Sequence, residues 1–304
     1  MHLFTVDLIY NQPIKKAPDM KIKFTVLSLS LLIITACGTE QPEPITNNSW
    51  EQVQQMGEGV VTLAYVPSDG FSYVDEDGRL TGVTIELVRD FVDYVNVQYG
   101  MSVSIDYQPI ESFSTFYETV RDASGGVFGV ANVTITEERK EEIAFSPPYM
   151  TNIATLITHN EIPEISDFDE IGSAFSGLEA LAFEGTLHQD RLEAIIEEHL
   201  PDAEMEFAHS NNEIIERVSS GNNYFAYVDI YNYWRAANDD APLQRHSAGD
   251  EASEQFGIVM PLNSDWHHIV ERFFEDEGGY LNTDRYRYLM ETHLGEELAE
   301  LLLE

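Results

Sequence analysis

Two adjacent cations, Arg139 and Lys140, follow a run of threonines and glutamates in a chain that is otherwise strongly acidic. The 304 residues include 16 Lys and Arg against 54 Asp and Glu, which gives a net charge of −38. The planar guanidinium of arginine can bind a carboxylate through two parallel hydrogen bonds. Arg139 is therefore a candidate anion-binding residue. The alternative is an exposed helical arginine that pairs with the nearby Glu142.

Other polar side chains stand where predicted strands end or predicted helices begin. Asp229 closes the strand-like segment Tyr-Phe-Ala-Tyr-Val-Asp, where a carboxylate can meet an ammonium or can cap the helix that follows. Thr186 precedes a helical pattern, and the N-terminus of a helix attracts anions. Thr186 with Gln189, and Thr134 with Glu137, also fit the capping-box pattern that starts a helix.

The elements that position these residues alternate between strand-like and helix-like segments, which is typical of an α/β fold with mostly parallel strands. Residues 71–82 read as a hairpin with its turn at Asp77-Gly78. Strands are predicted at 60–66, 102–108, 126–133, 153–158, 178–183, 203–208, 224–229 and 256–260, and helices at 83–95, 112–122, 187–199, 210–219, 264–276 and 281–303.

Two interruptions of this alternation predict a lobe inserted into another lobe. Pro147 and Pro148 favour extended backbone in the first, at 145–150, and the polar segment 245–255 is the second. Two strands that enter and leave an inserted lobe would form a hinge. The predicted organisation is 58–150 and 248–304 for lobe 1, and 151–247 for lobe 2.

The N-terminal segment predicts export and lipidation. Two lysines precede the apolar run 24–34, which is too short for a stable membrane span. The run ends in Ile-Thr-Ala-Cys, which resembles a bacterial lipobox, and its Cys37 is the only cysteine of the chain. We expect 1–36 to be an upstream extension plus a lipoprotein signal peptide, with Met20 as the true start, and 37–57 to be a lipidated tether. The alternative for Cys37 is a free thiol in a loop.

The charge and the composition exclude several classes of protein. With 43% hydrophobic residues the chain is expected to fold rather than to be disordered. Without residues 1–36 it would carry 12 basic and 52 acidic residues, and such a surface repels nucleic acid. We therefore expect no nucleic-acid partner, and we suggest adaptation to high salt. Neither a P-loop nor a Gly-x-Ser-x-Gly motif is present, and no cofactor is expected. Since the adjacent His267 and His268 would point apart on a helix, no metal site is expected either.

The motifs taken in order resemble those of the bacterial family 3 solute-binding proteins, which serve ABC importers of polar amino acids. The segments that carry the resemblance are VTLAYV, GFSYVDEDGRLTGVTIELV, GVFGVANVTITEERKEEIAFSPPYM, EGT, FAYVD and the GIVMPLNSDWHHIVERFF stretch, within 59–295. The resemblance implies a two-lobed periplasmic-binding-protein-like fold of type II, joined by two hinge strands. It also implies a monomer in the periplasm or on the cell surface that closes over an amino-acid-like solute and delivers it to a membrane permease.

The resemblance also assigns roles to residues. Arg139 would grip the ligand carboxylate with Thr134 beside it, Thr186 would hold the same group from the second lobe, and Asp229 would bind the amine. Phe113 would pack on the ligand side chain, and Tyr65 could supply a second aromatic ring. Asn132 either contacts the ligand or ends its strand. Leu187 stands where the family commonly has a hydroxyl, which removes one contact to the carboxylate.

Two other readings stay open at this point. Enzymes resembling periplasmic cyclohexadienyl dehydratases have the same fold, and Glu184 is an acid that such chemistry could recruit. The chain could also be a ligand-sensing lobe that signals to a membrane partner. Asp69 either reaches a cationic group of the ligand or is a plain turn residue.

Overall fold

The structure, a computed structural model, describes residues 44–303, so Cys37 and the predicted signal peptide lie outside the described part. The strands are β1 Glu58–Tyr65, β2 Tyr73–Val74, β3 Leu80–Thr81, β4 Ser102–Pro109, β5 Val127–Thr134, β6 Ile143–Phe145, β7 Met150–His159, β8 Glu179–Phe183, β9 Met205–Ala208, β10 Tyr224–Asp229 and β11 Leu243–Pro261. The helices are α1 Trp50–Met56, α2 Val83–Tyr99, α3 Phe113–Arg121, α4 Glu137–Lys140, α5 Ile171–Ala174, α6 Leu187–His199, α7 Asn211–Ser219, α8 Ile230–Asn238, α9 His267–Glu275, α10 Asp284–Leu294 and α11 Glu296–Leu303.

Nine strands form one mixed sheet in the order β4-β1-β5-β11-β7-β10-β8-β9, with β6 paired to β11. Strand β1 is parallel to β4 and β5, and β8 is parallel to β9 and β10. The long strands β7 and β11 run antiparallel to each other between these two groups. The predicted fold class, two α/β lobes joined by two strands, is confirmed. The predicted residue limits of the lobes stay a prediction.

Helix α2 illustrates how local sequence sets an element and buries one face of it. Its residues Val88, Val92 and Val95 recur at helical spacing and are buried. Gly82 and Gly100 bound the helix at φ values of +121° and +66°, where side chains are disfavoured. At Gly82 a Cβ atom would lie 2.3 Å from the carbonyl oxygen of Phe71, so only glycine fits between the hairpin and the helix.

The hairpin β2–β3 is confirmed, with Tyr73 opposite Thr81 and Gly78 in a left-handed turn conformation. Most of the predicted strands and helices are present with ends shifted by a few residues. The single helix predicted for 281–303 is two helices, because Gly295 at φ +91° ends α10.

The predicted tether 37–57 is wrong over its last residues, which fold as α1. Ser49 and Gln52 form a capping box at the start of this helix. Trp50 and Val53 are buried, and the Trp50 ring packs against Trp266 at 5.2 Å. The spacing of these two apolar residues places them on one helix face, which binds the segment to the core.

The interruption predicted at 245–255 is extended, as the hinge prediction requires, and lies wholly within β11. The strand pairs with β7 from Leu243 to Phe256, with irregular register between His246 and Glu254. The strand predicted at 256–260 is therefore the end of a longer one, because backbone pairing does not depend on the polarity of the side chains.

Candidate ligand-binding site

A cavity of about 260 Å³ lies within the described part of the chain. Loops at the carboxyl ends of β5, β8 and β10 supply much of its wall, which is where ligands bind in α/β sheets. The cavity brings together six of the seven predicted ligand-binding residues: Phe113, Asn132, Thr134, Arg139, Thr186 and Asp229.

Arg139 is positioned by a short helix that begins directly after β5. The cap of α4 is Thr136, whose hydroxyl accepts a hydrogen bond from the Arg139 amide at 3.1 Å. The capping box predicted for Thr134 and Glu137 is therefore wrong by two residues. Thr134 is the last residue of β5, and its carbonyl oxygen accepts a hydrogen bond from Arg139 Nη1 at 3.0 Å. This bond directs the guanidinium back toward the end of the strand.

The Arg139 guanidinium is largely surrounded by protein and has no carboxylate beside it. It lies over the rings of Phe113 and Tyr117, at 5.6 and 5.8 Å from their centroids. Burial lowers the pKa of Arg139 from its ordinary value. Within residues 44–303 no ion pair joins Arg139 to an acid. The predicted alternative, pairing with Glu142, does not occur, since Glu142 instead accepts a hydrogen bond from the Tyr117 hydroxyl.

Thr186 lies where the N-terminus of α6 meets the cavity. Its hydroxyl donates to the carbonyl oxygen of Phe183 at 2.8 Å and does not cap the helix. The predicted capping box is absent, because Gln189 Oε1 accepts from the Gly185 amide instead. The first amides of a helix have no partner within the helix. This turn can therefore donate backbone hydrogen bonds to an anion, and Leu187 does not prevent that.

Asp229 ends β10 and is 7% exposed. Its side chain makes no capping bond to α8, so the predicted capping alternative is not realised. Instead Oδ1 accepts a hydrogen bond from Asn152 Nδ2 at 2.7 Å and lies 3.2 Å from His188 Nε2. Asp229 Oδ2 makes no hydrogen bond to another residue of the described chain, so it remains available to a ligand.

Asn132 lines the cavity and has an unusual backbone conformation. It does not end its strand, because β5 continues to Thr134, and its contact with the ligand stays a prediction. Its φ of +52° lies in the left-handed region, which asparagine tolerates better than most residues. The side-chain Oδ1 accepts a hydrogen bond from the Tyr149 hydroxyl at 3.1 Å.

Tyr65, the seventh predicted residue, does not line the cavity. It is 8% exposed and packs in the core with Phe71 and Ile85. Successive side chains of a strand point to opposite faces, and the next residue, Val66, faces the cavity instead. The prediction for Tyr65 is corrected on this ground.

Part of the cavity wall was not predicted from the sequence. His188 follows Thr186 by two positions and is buried against Asp229. The sequence signal that could have identified His188 is its place in the first turn of α6. Glu111 also lines the cavity, as does the segment 209–212 at the start of α7.

Asp69 lines the cavity but is already paired. It forms an ion pair with Arg235 of α8 and accepts a hydrogen bond from Asn212 at 3.2 Å. These contacts lower the pKa of Asp69 against the opposing effect of its burial. This tertiary contact replaces the plain turn role, whereas contact with a cationic group of the ligand stays a prediction.

Residues 44–303 lack two features of other functional classes. Among these residues no cluster of His, Cys, Asp and Glu is arranged to hold a metal ion. No helix of this part combines the length and the apolar character needed to cross a membrane. Glu184, the acid considered for catalysis, is exposed and does not line the cavity.

Residues 61–275 match the model of the bacterial extracellular solute-binding proteins, family 3. The chain belongs to this family. Members are extracellular, in agreement with the predicted export, and the family resemblance seen in the sequence is confirmed.

Two curated relatives show how far the similarity extends. A probable ABC transporter extracellular-binding protein, YckB of Bacillus subtilis (strain 168), is 28% identical over 151 residues, which cover 47% of this chain and 48% of that protein. Membrane-bound lytic murein transglycosylase F 1 of Alkalilimnicola ehrlichii is 30% identical over 173 residues, which cover 56% of this chain and 32% of that protein. The matched part therefore spans half or less of these relatives.

Solved structures share the fold over a larger part of the chain. A substrate-binding protein of an ABC uptake transporter from Streptococcus pneumoniae, with bound histidine, has a TM-score of 0.62 at 17% identity, covering 81% of this chain and 96% of that one. An ancestral arginine-binding protein bound to arginine has a TM-score of 0.60 at 17% identity, covering 78% and 98%. At such identities the comparison shows the two-lobed fold alone.

Proposed function

We propose that this chain is a lipid-anchored binding protein that captures an amino acid or a similar small polar solute and delivers it to an ABC transporter permease. Membership of the solute-binding family supports the general role. The observation that carries the proposal is the pair of opposite charges in one cavity. Arg139 is a cation without a partner acid in the described chain, and Asp229 has a free carboxylate oxygen.

The chemistry of the two groups selects a dipolar ligand. A guanidinium held on Phe113 and Tyr117 can form two hydrogen bonds with a carboxylate, and the start of α6 at Thr186 can add backbone donors. The Asp229 carboxylate can accept from an ammonium. An α-amino acid carries both groups at short distance, and its side chain would extend toward the remaining wall.

Lobe closure is the proposed mechanism. By the predicted boundaries, Arg139 and Thr134 belong to lobe 1, and Thr186 and Asp229 to lobe 2. A ligand that bonds to both sets stabilises the closed arrangement by its differential affinity for the two states. Strands β7 and β11 would be the hinge.

We propose that the chain has no catalytic activity of its own. A dehydratase on this fold needs a proton donor that reaches the substrate. Glu184, the acid that the sequence offered for this role, is exposed and does not line the cavity, which supports the proposal. Incubation with arogenate or prephenate tests the proposal, and formation of an aromatic product would contradict it.

A thermal-shift screen at molar salt tests the binding function. The library contains the twenty L-amino acids, polyamine-like cations and small dicarboxylates. A ligand at a hundred times its Kd adds about 2.7 kcal/mol to the free energy of unfolding, which such a screen detects readily. Stabilisation by at least one L-amino acid supports the proposal, and a response to dicarboxylates alone contradicts it.

The lipid anchor is tested separately in a bacterial host. We expect wild-type protein to incorporate a labelled fatty acid and to remain with the membrane fraction. The Cys37→Ala variant should incorporate none. Labelling of that variant would place the modification elsewhere.

A further inference from the structure

Behind the cavity, side chains from four elements close a hydrogen-bonded ring. Asn152 of β7 donates through Nδ2 to Asp229 Oδ1 at 2.7 Å and to Glu254 Oε2 at 2.9 Å. Glu254 of β11 pairs with Arg191 of α6. The ring closes through His188, which lies 3.0 Å from Arg191 Nη1 and 3.2 Å from Asp229 Oδ1. Asp229 and His188 line the cavity, whereas the other members do not.

The donors and acceptors of this ring fix the protonation of His188. A guanidinium has only donors, so the Arg191 contact requires His188 Nδ1 to be an acceptor. The imidazole is then neutral, with its proton on Nε2, and that proton is donated to Asp229 Oδ1. The orientation of Asn152 is fixed in the same way, because two ionised carboxylates accept from its amide nitrogen.

The ring consequently carries an excess negative charge in a buried place. It contains the carboxylates of Asp229 and Glu254, the guanidinium of Arg191 and a neutral imidazole. The aromatic side chain of Tyr227 also faces His188, stacked with its centroid 6.2 Å from that of the imidazole. The Arg191 guanidinium carbon lies over the same phenol, 5.8 Å from its centroid. Burial raises the pKa of Tyr227, so this phenol stays uncharged. A buried uncompensated carboxylate is unfavourable until a cation joins it.

We propose that Arg191 and Glu254 are positioning residues that prepare Asp229 for a protonated amine of the ligand. Arg191 keeps His188 in its Nε2–H tautomer, and His188 with Asn152 occupies Oδ1, so Oδ2 is the atom left for the ammonium. The inference rests on the proposed function and narrows its ligand class to compounds with a free amino group. An Nα-acylated amino acid has a neutral amide in place of the α-ammonium and is excluded.

The ring is tested first without any ligand. Protein labelled with ¹⁵N-histidine is studied by long-range ¹H–¹⁵N NMR between pH 6 and pH 8, with the His188 signals assigned by their loss in His188→Gln. We expect a neutral Nε2–H imidazole over this range in the wild type. Arg191→Gln frees Nδ1 beside Asp229, so its His188 should become doubly protonated at pH 6. A wild-type imidazole with its proton on Nδ1, or an unchanged signal in Arg191→Gln, overturns the proposal.

Arg217→Gln is the matched control, since Arg217 likewise pairs with an acid, Glu206, and lies over a tyrosine ring, that of Tyr224, outside the cavity. Its His188 signals should equal those of the wild type. If Arg191→Gln does not fold, Glu254→Gln is used instead. In that variant Arg191 still contacts His188 and keeps its Nε2–H tautomer, but the excess negative charge of the ring is removed.

Binding is measured by calorimetry with L-arginine, L-glutamine and L-histidine, and with the Nα-acetyl derivative of each. Two buffers of different ionisation enthalpy reveal any proton that is released or taken up on binding. We expect wild type to bind a free amino acid without a linked proton and to bind the acetyl form at least 100-fold more weakly. Glu254→Gln should bind the free form at least tenfold more weakly, and Arg191→Gln should release a proton on binding. Equal affinity for the acetyl form overturns the proposal. If none of the three binds, the amino acid found in the thermal-shift screen is used in their place. If no amino acid binds, the proposed function is contradicted, and the NMR result decides the ring by itself.

Discussion

Replacement of Arg139 by glutamine is the sharpest test of the site. In the wild type two charge-assisted hydrogen bonds to a ligand carboxylate contribute roughly 1.5–3 kcal/mol each. Their loss raises the free energy of binding by about 3–6 kcal/mol, which weakens binding by about 100- to 10,000-fold. A glutamine amide can donate to the carboxylate but brings no charge, so we expect the lower part of this range.

The same substitution should leave the free protein nearly as stable as before. Arg139 loses a hydrogen bond to the Thr134 carbonyl and contacts to two aromatic rings, together worth about 2 kcal/mol. Against this loss, a buried cation without a partner acid is removed, which relieves a desolvation cost of similar size. The net change in the free energy of unfolding should lie within about 1 kcal/mol.

The assay compares Arg139→Gln with Lys140→Gln, which removes the adjacent cation. Lys140 pairs with Glu137 at 2.7 Å and does not line the cavity. Each protein is titrated calorimetrically with the amino acid found in the screen and is unfolded in urea without it. Wild-type affinity in Arg139→Gln would refute the assignment. Equal losses in both variants would show that general charge, and not the Arg139 position, governs binding.

Three further outcomes are expected. Trp50→Ala should lower the free energy of unfolding by about 3–5 kcal/mol in urea titrations, because α1 is part of the core, whereas a flexible tether would give no change. Burial lowers the pKa of His246 to about 4. As the pH decreases, the unfolded chain therefore takes up a proton at this residue before the folded protein does, and the free energy of unfolding falls. Between pH 7 and pH 5 the loss should be about 2 kcal/mol, and His246→Gln should flatten this slope. Asp69→Asn breaks the half-exposed pair with Arg235 and should weaken amino-acid binding by at most about fivefold in calorimetry, with a smaller effect at molar salt, whereas a larger or salt-independent loss would indicate direct ligand contact.

The elements of the fold could be predicted because their signals are local. Helix α2 is bounded by glycines and has a repeating apolar face, and the dipeptide Asp77-Gly78 is typical of a hairpin turn. The extent of β11 over 245–255 could not be predicted, because its pairing depends on β7, far away in sequence. Residues 50–56 are mostly polar, so their composition indicates a tether, although two apolar side chains lie on one face of α1.

The residues of the site also divide into those with a local sequence signal and those without one. Arg139 and Asp229 could be named because each stands in a short motif of the family, whereas Tyr65 was assigned to the wrong face of its strand. The ring behind Asp229 was beyond sequence reasoning. Asn152 and Glu254, for example, meet across 102 residues of chain, and no local pattern predicts such a contact.

The cation beside Arg139 has a practical consequence. Lys140 is the only lysine in residues 44–303, its side chain is 49% exposed, and it stands one residue from the proposed ligand-binding arginine. An amine-reactive fluorophore would therefore attach to residues 44–303 at one defined place, next in sequence to a residue that lines the cavity. The native sequence thus offers a labelling site for an optical reporter of solute capture, with no engineered cysteine required.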